Sequence, residues 1–331
     1  MPISLVDDGV VFSFPDIHPD AVLSVEFQST LRVPDDGTTY GLPPGLGGLP
    51  MRRVVDLPER RVPQRWLASG GVVMPMWQSQ ACWLNFDTYY PFLVKVGAGS
   101  INAITGKPWS AAPDFVEEDH IEVPNQPWLD GFCVDKGKVR QFVAMPLHSG
   151  YTVEEQVSTG EAVGGIRLVV IPLKAAIYEQ RQADRLRAGS PDPLINPVPN
   201  AECAGMGLGA GGEITQSIET PVEPQENWEL QTSASVWVHI ANSLDWQQIS
   251  GERPPSLPPS AADYTSYGLP WFDWYDDTFA RSGSDVLAVT KSVRMLGDER
   301  TEPSLPENES FDPPEPIRLG YPRKEAQSPG F

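Results

Sequence analysis

Basic residues are scarce in this chain: 24 lysines and arginines stand against 44 aspartates and glutamates over 331 residues, a formal net charge of -20. Such a field repels a phosphate backbone, so nucleic acid is not an expected partner, and an anionic membrane surface is disfavoured for the same reason. Cysteine is rarer still. Cys82, Cys133 and Cys203 make an odd count with no C-x-x-C spacing, which leaves neither a zinc knuckle nor a redox pair. No apolar run reaches membrane-spanning length, so no membrane insertion is expected. The opening residues lack a basic stretch followed by an apolar one, and the expected location is the cytoplasm. There is no G-x-S-x-G elbow and no calcium loop of the EF-hand type. Long helices are excluded as well, because 35 prolines are spread along the chain.

What is present is apolar and aromatic. Apolar residues make up 40% of the chain, enough to fill a real core, and ten tryptophans add large surfaces that must be buried or bind something. Between Gly70 and Thr105 only Asp87 and Lys95 carry charge, and β-branched, aromatic and thioether side chains dominate. That stretch reads as strands buried on both faces. Upstream, Val10, Phe12 and Phe14 alternate, and Leu23, Val25 and Phe27 oppose Val22, Ser24 and Glu26, giving two short strands around the loop Pro15 to Asp20. One continuous strand is expected over 76–86, a hairpin across Gly97 to Ser100, and further strands at 139–145, 166–173 and 235–240. Thr152 and Glu155 form a capping box for a short helix, and Ala175 to Ala188 reads as a charged surface helix. A helix is also expected near Ser260 to Ser266. Val286, Val289, Val293 and Leu296 fit either helix or strand.

These patterns predict a mainly β protein with a sandwich or jelly-roll-like core. Residues 1–188 form the β-rich core domain, and 189–227 a proline- and glycine-rich linker or long loop. A smaller α+β section, 228–297, packs on the core. Residues 298–331 are a polar, proline-rich tail that cannot repay its ordering entropy alone; it is disordered or laid across another surface as an arm.

Candidate chemistry is thin. Cys82 with His148 has the residue types of a nucleophile and base, but a cysteine inside a buried strand is ordinarily a small hydrophobe. Cys133 meets the same objection. Asp130, Glu154 and Glu155 could supply acid and base to a small molecule or glycan, yet the two glutamates equally suit a helix N-terminus. Asp16, His18 and Asp20 would share a face of an extended segment and leave a divalent cation open; Pro15 and Pro19 favour a turn instead. The run 117–120 has ligand types but reads as a solvated loop. Gly207, Gly209 and Gly212 satisfy G-x-G-x-x-G without a surrounding βαβ unit, so no dinucleotide or other cofactor is expected; the glycines suit close backbone packing. The aromatic groups carry more. Trp109, Trp128 and the cluster Trp271, Phe272, Trp274 and Tyr275, followed by Asp276 and Asp277, could line a ligand groove or a subunit contact.

Met74 to Ser79, Asn102 to Trp109, Gln126 to Phe132, Arg140 to Pro146, Gly150 to Gln156 and Tyr267 to Asp273 together resemble an uncharacterised, actinobacterial-type bacterial protein family with no established activity. The resemblance spans about residues 20 to 310 and implies one continuous architecture, which argues against a two-domain split. The expectation from the residues is a non-catalytic binding or self-assembly protein that uses aromatic surface and an extended C-terminal arm to contact itself or another protein. The alternatives are a carboxylate acid/base enzyme and a divalent-metal-dependent binding protein.

Overall fold

Alternating burial along short strands, with proline and glycine at their ends, builds two stacked sheets in the computed structural model, which describes residues 2–188, 206–273 and 280–318. The protein is mainly β, with 35% strand and 20% helix, and neither sheet closes into a barrel. Among the described residues the first sheet has ten strands, and its main path runs Ile3–Val6, Gly9–Ser13, Val22–Thr30, Ala81–Asp87, Lys138–Met145, Gly207–Thr215 and Thr39–Tyr40. The second has seven and runs Ile101–Asn102, Phe92–Ala98, Ile166–Pro172, Ala234–Asn242, Val72–Met76 and Arg52–Arg53, with Ile121–Val123 beside Phe92–Ala98. Most neighbours are antiparallel. Within these two sheets two pairs are parallel, Ala234–Asn242 with Val72–Met76 and Gly207–Thr215 with Thr39–Tyr40, which sets the topology apart from an all-antiparallel jelly roll; a separate two-stranded sheet, Phe272–Asp273 with Ile317–Arg318, is parallel as well.

One hydrophobic cluster fills the space between the sheets. Phe12, Phe27, Leu84 and Phe142 reach it from the first sheet, and Val94, Leu168, Val170 and Val238 from the second. Phe132 meets Phe142 edge-on, with ring centroids 4.9 Å apart. Truncating one such ring to alanine costs roughly 3–5 kcal/mol.

Several local expectations change. The strand expected over 76–86 is two strands in different sheets, Val72–Met76 and Ala81–Asp87. The chain crosses at Trp77 to Gln80, where Ser79 adopts a left-handed φ of 72° and the Gln80 side chain accepts from the Trp77 N–H at 2.8 Å. Part of the segment expected as a linker is a core strand, Gly207–Thr215. Its glycines admit close neighbours: a Cβ on Gly212 would lie 2.2 Å from the Pro34 carbonyl oxygen, and one on Gly209 2.9 Å from Val293. The strand Ala234–Asn242, from the section expected to pack on the core, lies inside the second sheet. Val286 to Leu296 resolves as two short helices, Asp285–Ala288 and Val293–Glu299. The helix Val153–Val157 starts on the expected capping box and ends at Ser158, its C-cap.

The first part of the expected tail lies on the chain's own core. Phe311 stacks on Tyr40 at 4.9 Å, the Arg32 guanidinium donates to the Asn308 side chain at 2.7 Å, and Ile317 donates its N–H to the Trp271 carbonyl at 2.7 Å. No described helix is long and apolar enough to cross a membrane.

Candidate functional site

Register on the second sheet decides which side chains share its outer face. Arg167 pairs with Gly97 on one side and with Trp237 on the other, and Val169 pairs with Lys95 and Ser235. Because side chains alternate, this row points away from the core while Ile166, Leu168 and Val238 point into it. Two covers close the ends of the face. At one end the segment 103–120 is pinned by Lys95, a wholly buried lysine whose ammonium donates to Asp119 at 2.5 Å and to the Ala112 carbonyl at 2.6 Å. That segment lays the Trp109 indole onto Gly97, where a Cβ would come within 2.6 Å of the ring. At the other end Val54, Val62, Trp66, Trp246 and Ile249 make a second small core over Val73 and Ala241.

Between the covers a groove of about 790 Å³ remains, lined by Ile3, Leu5, Trp109, Arg167, Val169 and Trp237 among others. Arg167 and Trp237 in its lining begin a ladder of flat groups that continues into buried rings beyond the groove. The Arg167 guanidinium carbon lies 3.9 Å from the Trp237 ring centre and 6.0 Å from that of Trp109. Trp237 stacks on His239 at 5.6 Å and 8°, and His239 stacks on Trp66 at 4.9 Å and 19°. His239 Nε2 lies 2.9 Å from the Gly70 carbonyl oxygen, and burial pushes the ring's pKa down to about 4, so it is neutral near pH 7.

Arg167 is the half-buried cation of this groove. Burial lowers its pKa while the charge of Glu154 opposes the shift; a guanidinium keeps its proton at neutral pH even so. Its Nε is buried without a hydrogen-bond partner, and among the described residues Arg167 has no ion pair. Glu154, the nearby carboxylate, is already spent: it accepts from the backbone N–H groups of Ser100, Val163 and Gly164 at 2.7, 3.0 and 2.9 Å. The groove therefore offers a fork of N–H donors between two indole faces, a setting suited to a planar anion joined to a flat or apolar body.

The other expected residues fall elsewhere. Cys82 and His148 are not brought together. Cys82 is sealed in the core, where burial raises its thiol pKa far out of reach, and His148 sits on an exposed turn with a φ of 62°. Cys133 is also buried, its thiol pushed up to about 11 by desolvation. Asp130 is buried beside Gln216, from which it accepts at 2.5 Å, and burial raises its carboxyl to about 7. None of these groups lines the groove. Glu154 and Glu155 serve structure, Glu155 closing the capping box.

Asp16, His18 and Asp20 do not form a three-ligand group, although His18 Nδ1 lies 3.8 Å from the Asp20 carboxylate. Their segment is a turn in which the Asp20 N–H donates to His18 Nδ1, and the imidazole stacks on Tyr90 at 5.6 Å. In the run 117–120, Glu117 pairs with Lys107, Asp119 holds Lys95, and the His120 ring is buried against Phe115. Among the described residues no three His, Cys, Asp or Glu side chains group to hold a metal ion.

Of the aromatic candidates, Trp109 lines the groove. Trp271, expected at a contact surface, is instead buried between Tyr40, Tyr264 and Phe311. Phe272 is partly buried in a two-residue strand, and Trp128 is partly buried against Asn85 of the first sheet. Trp274, Tyr275 and Cys203 lie outside the described residues. Arg167, Trp237, His239 and Trp66 were missed by the sequence reading. A lone arginine in the run Ile166–Pro172, and the alternation of Ser235, Trp237 and His239 with valines, are the signals that point to them.

Comparison with protein-family models, with curated proteins and with solved structures finds no match for this chain.

Proposed function

We propose that this chain is a non-catalytic binding protein whose groove on the outer face of the second sheet takes an anionic ligand with a flat or apolar body. One observation carries the reading: Arg167, a cation without an anionic partner, stands between Trp109 and Trp237 and lines a groove large enough for a small molecule. The carboxylates and thiols considered for catalysis support it indirectly, being committed to backbone N–H groups or sealed in the core. The setting in this reading is the cytoplasm, with which the free thiols of Cys82 and Cys133 are compatible.

Tryptophan fluorescence and calorimetry with benzoate and its uncharged analogue benzamide test the reading. Benzoate should bind the wild type at about the millimolar level, near -4 kcal/mol, and benzamide should bind far more weakly. Arg167→Gln and Trp237→Ala should each abolish the preference for the acid. Equal responses of wild type and Arg167→Gln to both compounds would overturn it.

A further inference from the structure

The chain's sparse positive charge is not spread evenly. Five of its arginines, Arg52, Arg53, Arg60, Arg61 and Arg65, fall within fourteen residues that hold only two acids, Asp56 and Glu59. Arg52 is paired with Asp8 and Glu252, and Arg53 with Asp56. The other three are exposed and line a second hollow of about 560 Å³, together with Pro63, Asp245 and Gln248. Arg61 spends a donor on the Gln248 carbonyl, which leaves its charge uncompensated. Among the described residues Arg60 and Arg65 have no ion pair. Asp245 is the acid in that lining, so the hollow keeps a net positive charge.

The opposite pattern occurs on the arm. Glu309, Asp312 and Glu315 are exposed and have no ion pair among the described residues. They recur every third residue beside Pro313, Pro314 and Pro316. The arm is held at both ends of this stretch, by Asn308 on Arg32 and by Ile317 on Trp271, with Phe311 seated on Tyr40 between them. Three exposed acids are thus carried on an anchored support, which lowers the ordering cost of using them. Within one copy no ion pair joins these acids to the arginines.

We propose that the arginine face of one copy docks the acidic arm of a second copy, Arg60, Arg61 and Arg65 against Glu309, Asp312 and Glu315. Two different patches meet, so the contact is heterologous and propagates into short chains of copies unless it closes on itself. The large net charge works against close approach. Local pairing acts within the Debye length of about 8 Å at physiological salt, where the repulsion of distant charges is screened.

Sedimentation velocity on the full chain at about 100 µM and about 0.15 M salt tests the contact. The wild type should sediment above the monomer. Arg60→Glu/Arg61→Glu/Arg65→Glu and Glu309→Lys/Asp312→Lys/Glu315→Lys should each be monomeric alone and should assemble when mixed, because each supplies the charge that the other lacks. The milder Arg60→Gln/Arg65→Gln should raise the dissociation constant at least about tenfold, and it serves if a reversal variant fails to fold. A wild type that stays monomeric overturns the proposal, as do folded reversal variants that remain apart on mixing. Saturation of the hollow by inorganic phosphate in a monomeric wild type would assign the arginines to a small anion instead, and would likewise overturn it.

Discussion

Asp130 should make this protein less stable at neutral pH than in mild acid. The carboxyl is buried, 5% exposed, and desolvation raises its pKa from 3.8 to about 7, with a hydrogen bond from the Trp128 side chain opposing the rise. The unfolded chain loses this proton near 3.8, whereas the folded chain holds it until about 7. Between those values the folded state binds more protons, so stability falls as pH rises and levels off once both states are ionised. The shift of about 3 units at 1.36 kcal/mol each gives a loss of about 4 kcal/mol above pH 7. Asp130→Asn removes the titration and keeps an acceptor for Gln216, whose amide donates to Asp130 at 2.5 Å and whose carbonyl accepts from the Asp130 N–H. Urea denaturation of both proteins at about pH 4 and about pH 8 reads the difference. The variant should match the wild type within about 1 kcal/mol at the lower pH and exceed it by up to about 4 kcal/mol at the higher. A difference that does not change with pH would refute the reasoning, since it would mean that Asp130 titrates alike in the folded and unfolded states.

His239 should give the opposite slope. Burial depresses its pKa from 6.5 to about 4, so its contribution to stability is complete above 6.5 and is lost as pH falls through about 4. His239→Phe keeps a ring in the stack and should remove an acid-side loss of about 3 kcal/mol, read by the same titrated denaturation. Gly97→Ala places a methyl 2.6 Å from the Trp109 ring; it should lift the indole off the sheet, cost about 1–3 kcal/mol and red-shift the tryptophan emission. Glu154→Ala strands three backbone N–H groups, those of Ser100, Val163 and Gly164. It should cost about 3 kcal/mol or more, with hydrogen exchange fastest at those three amides.

Elements whose cause is local were legible. Thr152 and Glu155 identify a capping box because both hydrogen bonds lie within four residues, and the helix Ala261–Ser266 starts on Ser260 as its composition requires. The strands through Val10 and Val25 follow from period-two burial. Illegible were the elements made by tertiary contact. Gly207–Thr215 has the composition of a loop, and it becomes a strand because its missing side chains make room for Pro34, Met145 and Val293. The crossing at Trp77 to Gln80 hides inside an apolar run that alternates as one strand. It is fixed by a bond from the Ser79 N–H to the Ala144 carbonyl, far away in sequence.

The candidate site illustrates the same limit more sharply, because four separate segments build it. Trp66, Trp109, Arg167, Trp237 and His239 come from a helix, a loop and two strands. Sequence clustering drew attention instead to Trp271, which the fold consumes as core. What assembles the ladder is register: Gly97, Arg167 and Trp237 lie in one row across three strands. A slip of one residue between those strands would turn Arg167 into the core and Leu168 out to water. Burying an unpaired guanidinium while exposing a leucine is prohibitively unfavourable, so the alternation that fills the interior also obliges the arginine onto the outer face. The position of the cation is therefore fixed by the core, whereas its lack of an anionic partner is not. No acid stands among the residues that line the groove, so the cation there meets only apolar, aromatic and uncharged polar neighbours and Arg53.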